Sequence, residues 1–171
     1  MRSFSSYLKA ELKPRSHSLN PRLQELQLPV GILKNFLAAT REISVQELEY
    51  VPYQRLVLAH TLNEECSGSL KQILVETLHD RATGALEIST SPKLNKSDLI
   101  KVSTGVSHLL GQPNFDSMSG KYYACFDVKD TDNSDSYLRQ AYRLFTLHTD
   151  GTYVDEMTDW VLMLKLKEEN A

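Results

Sequence analysis

The triplet His148-Thr149-Asp150 carries the side chains in this sequence that are best suited to chemistry. Alternate residues of a β-strand point to the same face, so a strand would aim this imidazole and this carboxylate at a common point. Such a pair provides two of the three protein ligands in the facial triad that binds non-haem Fe(II) in oxygenases. The triplet therefore predicts part of an iron site. The alternative is a surface histidine beside an ordinary hairpin turn, because Asp150-Gly151 is also a turn signal.

A complete triad needs a second histidine, and none follows Asp150 in this sequence. The remaining histidines all lie upstream, at His17, His60, His79 and His108. We therefore expect the chain to carry only part of the metal site. Another possibility is a different metal enzyme of the cupin type, a hydrolase or isomerase, in which His108 joins His148 and Asp150.

A polar segment, residues 132–140, precedes this triplet and contains Tyr137 and Arg139. An arginine can clamp a carboxylate through two parallel hydrogen bonds, and a tyrosine hydroxyl can donate another. These two side chains are therefore candidates for contacts with a carboxylate substrate. A solvated loop is the alternative that composition alone favours.

Composition excludes several classes of function. The chain has 171 residues, a formal net charge of −3 and 41% hydrophobic residues, which suits one packed domain and gives no basic surface for nucleic acid. No apolar stretch approaches the roughly 20 residues that span a bilayer, and we expect no secretory signal. Two cysteines, Cys66 and Cys125, make no disulfide framework, so we expect a reduced, cytoplasmic protein.

The sequence pattern predicts that the first part of the chain is mainly helical. We expect a loose arm over residues 1–21, strand character at 23–28, and four helices over the mainly helical residues 22–111. The first opens at Pro29, and the second begins near Pro52 with Leu56, Ala59, His60 and Leu62 inward. Ser69 and Ser97 are the predicted N-caps of the third and fourth, and glycines are predicted to end them, Gly84 as C′ of the third and Gly111 after the fourth. On the fourth, Ser107 and His108 are adjacent and diverge by about 100°, so a catalytic dyad is not expected.

Strands are predicted at 85–89 and through the β-rich residues 112–171. The later strand patterns lie at 122–128, 142–148 and 160–167. Helices first and strands later indicate an α+β fold in a single domain.

Two longer strings resemble a known family. Residues 111–127 (GQPNFDSMSGKYYACFD) and 132–164, which include DNSDSYLRQ and LHTDGTYV, are similar to the CsiD-type glutarate 2-hydroxylase family. The likeness extends more weakly back to about Pro21, through residues 48–50 and 81–86. These strings are much more specific than a histidine and an aspartate at spacing two.

The resemblance implies an Fe(II)/2-oxoglutarate-dependent oxygenase that hydroxylates glutarate to L-2-hydroxyglutarate. O₂ is consumed and 2-oxoglutarate is converted to succinate and CO₂, in lysine and glutarate catabolism. It further implies a homotetramer whose fold is a double-stranded β-helix, or jelly roll, with flanking helices. By motif, His148 and Asp150 match the first two iron ligands, while Tyr137 and Arg139 lie in the shared string and are candidates for substrate contacts.

This chain departs from the family pattern in extent. The family's distal histidine and its 2-oxoglutarate-binding arginine lie well downstream of the histidine–aspartate pair, and a jelly roll needs about eight strands. We therefore expect the N-terminal portion of such an enzyme, with an incomplete jelly roll and no activity by itself. The alternative is a folded, non-catalytic remnant that acts as an oligomerising or binding module.

Overall fold

The structure is a computed structural model that describes residues 12–91, 93–115, 122–123 and 159–166. The chain divides into two compact units, Met1–Gln112 with Leu164–Ala171, and Pro113–Met163. The strands and helices given below belong to the first unit. In the second unit, the rings of Phe115 and Tyr122 meet edge to face with their centroids 5.3 Å apart.

The elements of the first unit confirm an α+β fold with a small sheet and five helices among the described residues. In chain order they are β1 (Arg15–His17), β2 (Asn20–Leu28), α1 (Val30–Ala39), α2 (Val45–Tyr50), α3 (Pro52–Glu65), α4 (Leu70–His79), β3 (Ala85–Thr90) and α5 (Lys96–Leu110). The predicted strand at 23–28 is confirmed and begins three residues earlier. The strand β1 occupies part of the predicted loose arm.

A three-stranded sheet of order β1-β2-β3 forms one layer. β1 and β2 make an antiparallel hairpin, whereas β2 and β3 are parallel and are joined by the crossover that contains α1 to α4. Alternation along β2 places Leu26 and Leu28 in the core, and Leu26 pairs with Ile88 in register. The inward leucines anchor the helices to one face of the sheet.

The core lies between that face and the helices. Its fully buried apolar side chains are Leu26, Leu28, Leu33, Phe36, Leu58, Leu62, Leu70 and Leu74. In α3 the inward positions are Arg55, Leu58, Ala59 and Leu62, which follow helical spacing. The prediction that Leu56 and His60 point inward was wrong, since both are exposed.

Local hydrogen bonds explain why two helices begin or end at residues other than those predicted. α4 ends at His79 rather than near Gly84, because the Asp80 carboxylate accepts a hydrogen bond from the N–H of Ala82 at 2.9 Å and turns the chain. Asn95, not Ser97, caps α5, and its side chain accepts from the N–H of Asp98 at 2.9 Å. The prediction that Gly111 ends α5 was confirmed.

The strand predicted at 160–167 was wrong for residues 160–166, which have no regular structure. Five consecutive apolar side chains there are exposed, namely Trp160, Val161, Leu162, Met163 and Leu164. A strand needs a partner for its backbone N–H and C=O groups, and the described strands pair only with one another. Of the strand predicted at 122–128, only Tyr122 and Tyr123 are described, and they form a bend and not a strand. The rest of that pattern and the pattern at 142–148 lie outside the described residues.

Helices α3 and α5 approach each other closely at Gly105. A Cβ atom at this position would lie 3.2 Å from Leu62 Cδ2 and 3.3 Å from the Leu58 carbonyl oxygen. We expect Gly105→Val to lower the free energy of unfolding by about 1–3 kcal/mol, because the backbone of α3 cannot yield as a side chain can. The measurement is urea unfolding followed by circular dichroism.

Gly31→Val is the matched control, since no atom lies within 4 Å of a Cβ built on Gly31 of α1. We expect this control to change the unfolding free energy by less than about 0.5 kcal/mol. Equal losses in the two variants would show that α3 and α5 do not approach each other at Gly105.

Candidate functional site

The predicted iron ligands His148 and Asp150, and the predicted substrate contacts Tyr137 and Arg139, lie outside the described residues. Their roles therefore stay predictions. Among the residues that the structure describes, no group of three or more histidine, cysteine, aspartate or glutamate side chains could hold a metal ion. The described polar side chains with informative contacts lie in three places. They are on α5, at the C-terminal ends of α1 and α2, and at Cys66.

His108 lies in the last turn of α5 and is half-buried. Its Nδ1 atom is 3.0 Å from the Thr104 carbonyl oxygen and 3.2 Å from Ser107 Oγ. The two side chains therefore meet, although their positions on the helix diverge by about 100°. Both side chains turn back toward the same carbonyl, since Ser107 Oγ also donates to Thr104 O at 3.0 Å.

This contact does not make a catalytic dyad. A carbonyl oxygen only accepts, so His108 Nδ1 must carry the proton to bond with Thr104 O. A protonated Nδ1 has no lone pair with which to take the proton of Ser107, whose own hydroxyl already donates to that carbonyl. The two side chains therefore bond to the backbone of their own helix instead of activating a nucleophile.

Burial lowers the pKa of His108 below its usual value. The Thr104 hydrogen bond opposes this with a smaller raising effect, and the nearby Arg55 guanidinium adds a still smaller lowering effect on the same pKa. A neutral imidazole whose Nδ1–H bonds a backbone carbonyl is also the form that metal-binding histidines take. Among the described residues, His108 belongs to no group of three or more histidine, cysteine, aspartate or glutamate side chains that could hold a metal ion. A metal site that combines His108 with His148 and Asp150 stays a prediction.

The depressed pKa of His108 gives folding a pH dependence. The unfolded chain takes up a proton near pH 6.5 and the folded chain does so only at lower pH, so stability falls as pH drops below about 6.5. We expect His108→Gln to lose less stability than the wild type between pH 7.5 and 5.5, as measured by urea unfolding at each pH. The control is His60→Gln on the exposed face of α3. A His108→Gln profile as steep as that of this control would contradict the assignment.

Cys66 is buried at the end of α3. Burial, with a smaller effect of Glu65, raises the pKa of its thiol to about 12, so the reactive thiolate is scarce at neutral pH. In a Cys125→Ser background, we expect Cys66 to react with iodoacetamide at pH 8 at least about 100-fold faster in urea than in the folded chain. Equal rates would contradict this burial.

Two buried cations in the helical unit were missed by sequence reasoning. Arg55 is 4% exposed, and its guanidinium donates to the backbone carbonyls of Leu48 and Glu49 near the end of α2. Lys101 is 6% exposed, and its Nζ donates to the Thr40 carbonyl at the end of α1 at 2.8 Å. Cations are favoured where helix carbonyls lack partners, so each side chain secures a helix C-terminus against a neighbouring helix.

Comparison with known proteins identifies the class to which this helical and partly β-structured chain belongs. The CsiD family model matches residues 13–171, a range that includes the His148–Asp150 triplet. The chain belongs to the CsiD family, as its strings predicted.

A curated relative is the glutarate 2-hydroxylase of Klebsiella pneumoniae (strain 342). The two sequences are 47% identical over 154 residues, which is 88% of this chain and 47% of the relative. The chain thus spans about half the length of the curated relative that it matches. Among the described residues, no helix is long and apolar enough to cross a membrane.

Proposed function

We propose that this chain forms part of an Fe(II)/2-oxoglutarate-dependent dioxygenase that hydroxylates glutarate to L-2-hydroxyglutarate, with release of succinate and CO₂. The observation that carries the proposal is the 47% identity to a protein named glutarate 2-hydroxylase. The family match across residues 13–171 supports it, because that match includes both candidate iron ligands. The reaction would serve lysine and glutarate catabolism in the cytoplasm.

In this proposal His148 and Asp150 hold the ferrous iron. Their donor atoms, an imidazole nitrogen and a carboxylate oxygen, fit Fe(II) in kind and supply two of the three protein ligands of a facial triad. Bound iron would supply the redox chemistry that lets O₂ react with an unactivated C–H bond. The part of the protein is to hold the metal and the two dicarboxylates in place and to exclude water.

We assign contacts with the substrate to Tyr137 and Arg139. Glutarate has a carboxylate at each end, and a guanidinium pairs with a carboxylate through two charge-assisted hydrogen bonds. The Tyr137 hydroxyl would donate a further hydrogen bond to the same group. Both residues lie in DNSDSYLRQ, within the range that the family model matches.

For the whole enzyme we propose a double-stranded β-helix in a single domain, to which this chain contributes an arm (1–21), a mainly helical part (22–111) and a β-rich part (112–171). The α+β content of the described residues is compatible with this fold. A jelly roll needs about eight strands, more than the three described here. We also propose a homotetramer, as the family resemblance implies.

A chimera tests the proposal. Residues 13–171 would replace the matching part of the Klebsiella pneumoniae relative, whose remaining half then supplies what this chain does not contain. We expect the chimera to form succinate from 2-oxoglutarate only when glutarate and Fe(II) are present, and the 171-residue chain alone to form none. A folded chimera that binds Fe(II) but does not hydroxylate glutarate would overturn the proposed substrate.

The second candidate is a folded, non-catalytic module that oligomerises or binds a partner. It is favoured by the helical unit, whose buried apolar side chains form a hydrophobic core. Analytical ultracentrifugation with Fe(II) titration separates the two candidates. A soluble, folded oligomer without Fe(II) affinity, together with an inactive chimera, would favour the module over the oxygenase.

A further inference from the structure

We draw no further inference here: the strongest candidate, the exposed uncharged surface that Tyr50, Tyr53 and Leu56 form at the junction of α2 and α3, is an apolar face for which nothing in the described part of the structure shows what covers it.

Discussion

Replacing His148 by glutamine in the chimera is expected to lower glutarate-dependent succinate formation at least about 100-fold. The amide retains much of the size of the imidazole but is a far poorer ligand for Fe(II). Asp150→Asn should have a similar effect, because it removes the anionic donor while keeping the shape. The measurement is succinate release under air with saturating Fe(II), 2-oxoglutarate and glutarate.

His108→Gln in the same chimera is the control, because it removes a histidine whose Nδ1 already bonds the Thr104 carbonyl within α5. We expect this variant to keep its turnover. If instead His108→Gln abolished activity as His148→Gln does, the cupin-type arrangement, in which His108 joins His148 and Asp150, would replace the assignment made here. Circular dichroism of each variant would show that any loss is not caused by unfolding.

Leu58→Ala in α3 is expected to lower the free energy of unfolding by about 3–5 kcal/mol. Leu58 is 0% exposed and lies in the core with Leu62 and Phe36, so truncation removes buried apolar contacts and leaves a cavity. Its matched control is Leu56→Ala, two residues away on the same helix, whose side chain is 56% exposed. We expect that control to change stability by less than about 0.5 kcal/mol.

Urea unfolding of the two variants, followed by circular dichroism, decides which face of α3 is buried. The chemistry of the substitution and the helix are the same in both, so the difference between the variants reports burial alone. A larger loss of unfolding free energy from Leu56→Ala would mean that α3 buries the face that the hydrophobic pattern predicts. That result would contradict the register of α3 in this structure.

The hydrophobic pattern of the sequence was sufficient to predict most of the described helices and strands. Runs of apolar residues at helical spacing predicted α1, α4 and α5, and the short alternating run at 85–89 predicted β3. The helix α2 was not predicted because it is only six residues long. Its S-x-x-E spacing nevertheless indicates the capping box that Ser44 and Glu47 form. Short helices depend on such caps more than on apolar periodicity.

The face of α3 could not be read from hydrophobicity, because its first inward position is Arg55. A charged residue counts against burial in any apolar pattern, yet the carbonyls near the end of α2 satisfy this guanidinium. Lys101 is a second charged residue whose burial an apolar pattern does not predict. It lies on the inner face of α5, four residues before Gly105. Both depend on carbonyls that only the folded arrangement brings near.

The candidate site was predicted by a different kind of signal. His148 and Asp150 follow from side-chain chemistry and strand alternation, and the longer strings around them identified the family that the comparison then confirmed. The third ligand could not be predicted, because no histidine follows Asp150 in this sequence. The strand predicted at 160–167 is not formed at residues 160–166 for a related reason. A strand pattern indicates a preference for extended backbone but does not identify the strand that would pair with it.

The most direct test of the proposed site is an anaerobic calorimetric titration with Fe(II), in the presence of 2-oxoglutarate, of the 171-residue chain and of the chimera. We expect the chimera to bind one Fe(II) per subunit, more tightly when 2-oxoglutarate is present, and the folded chain alone to bind at least about 100-fold more weakly because it provides two ligands. Binding by the chimera that is unchanged when His148 and Asp150 are both replaced would contradict the proposed iron site.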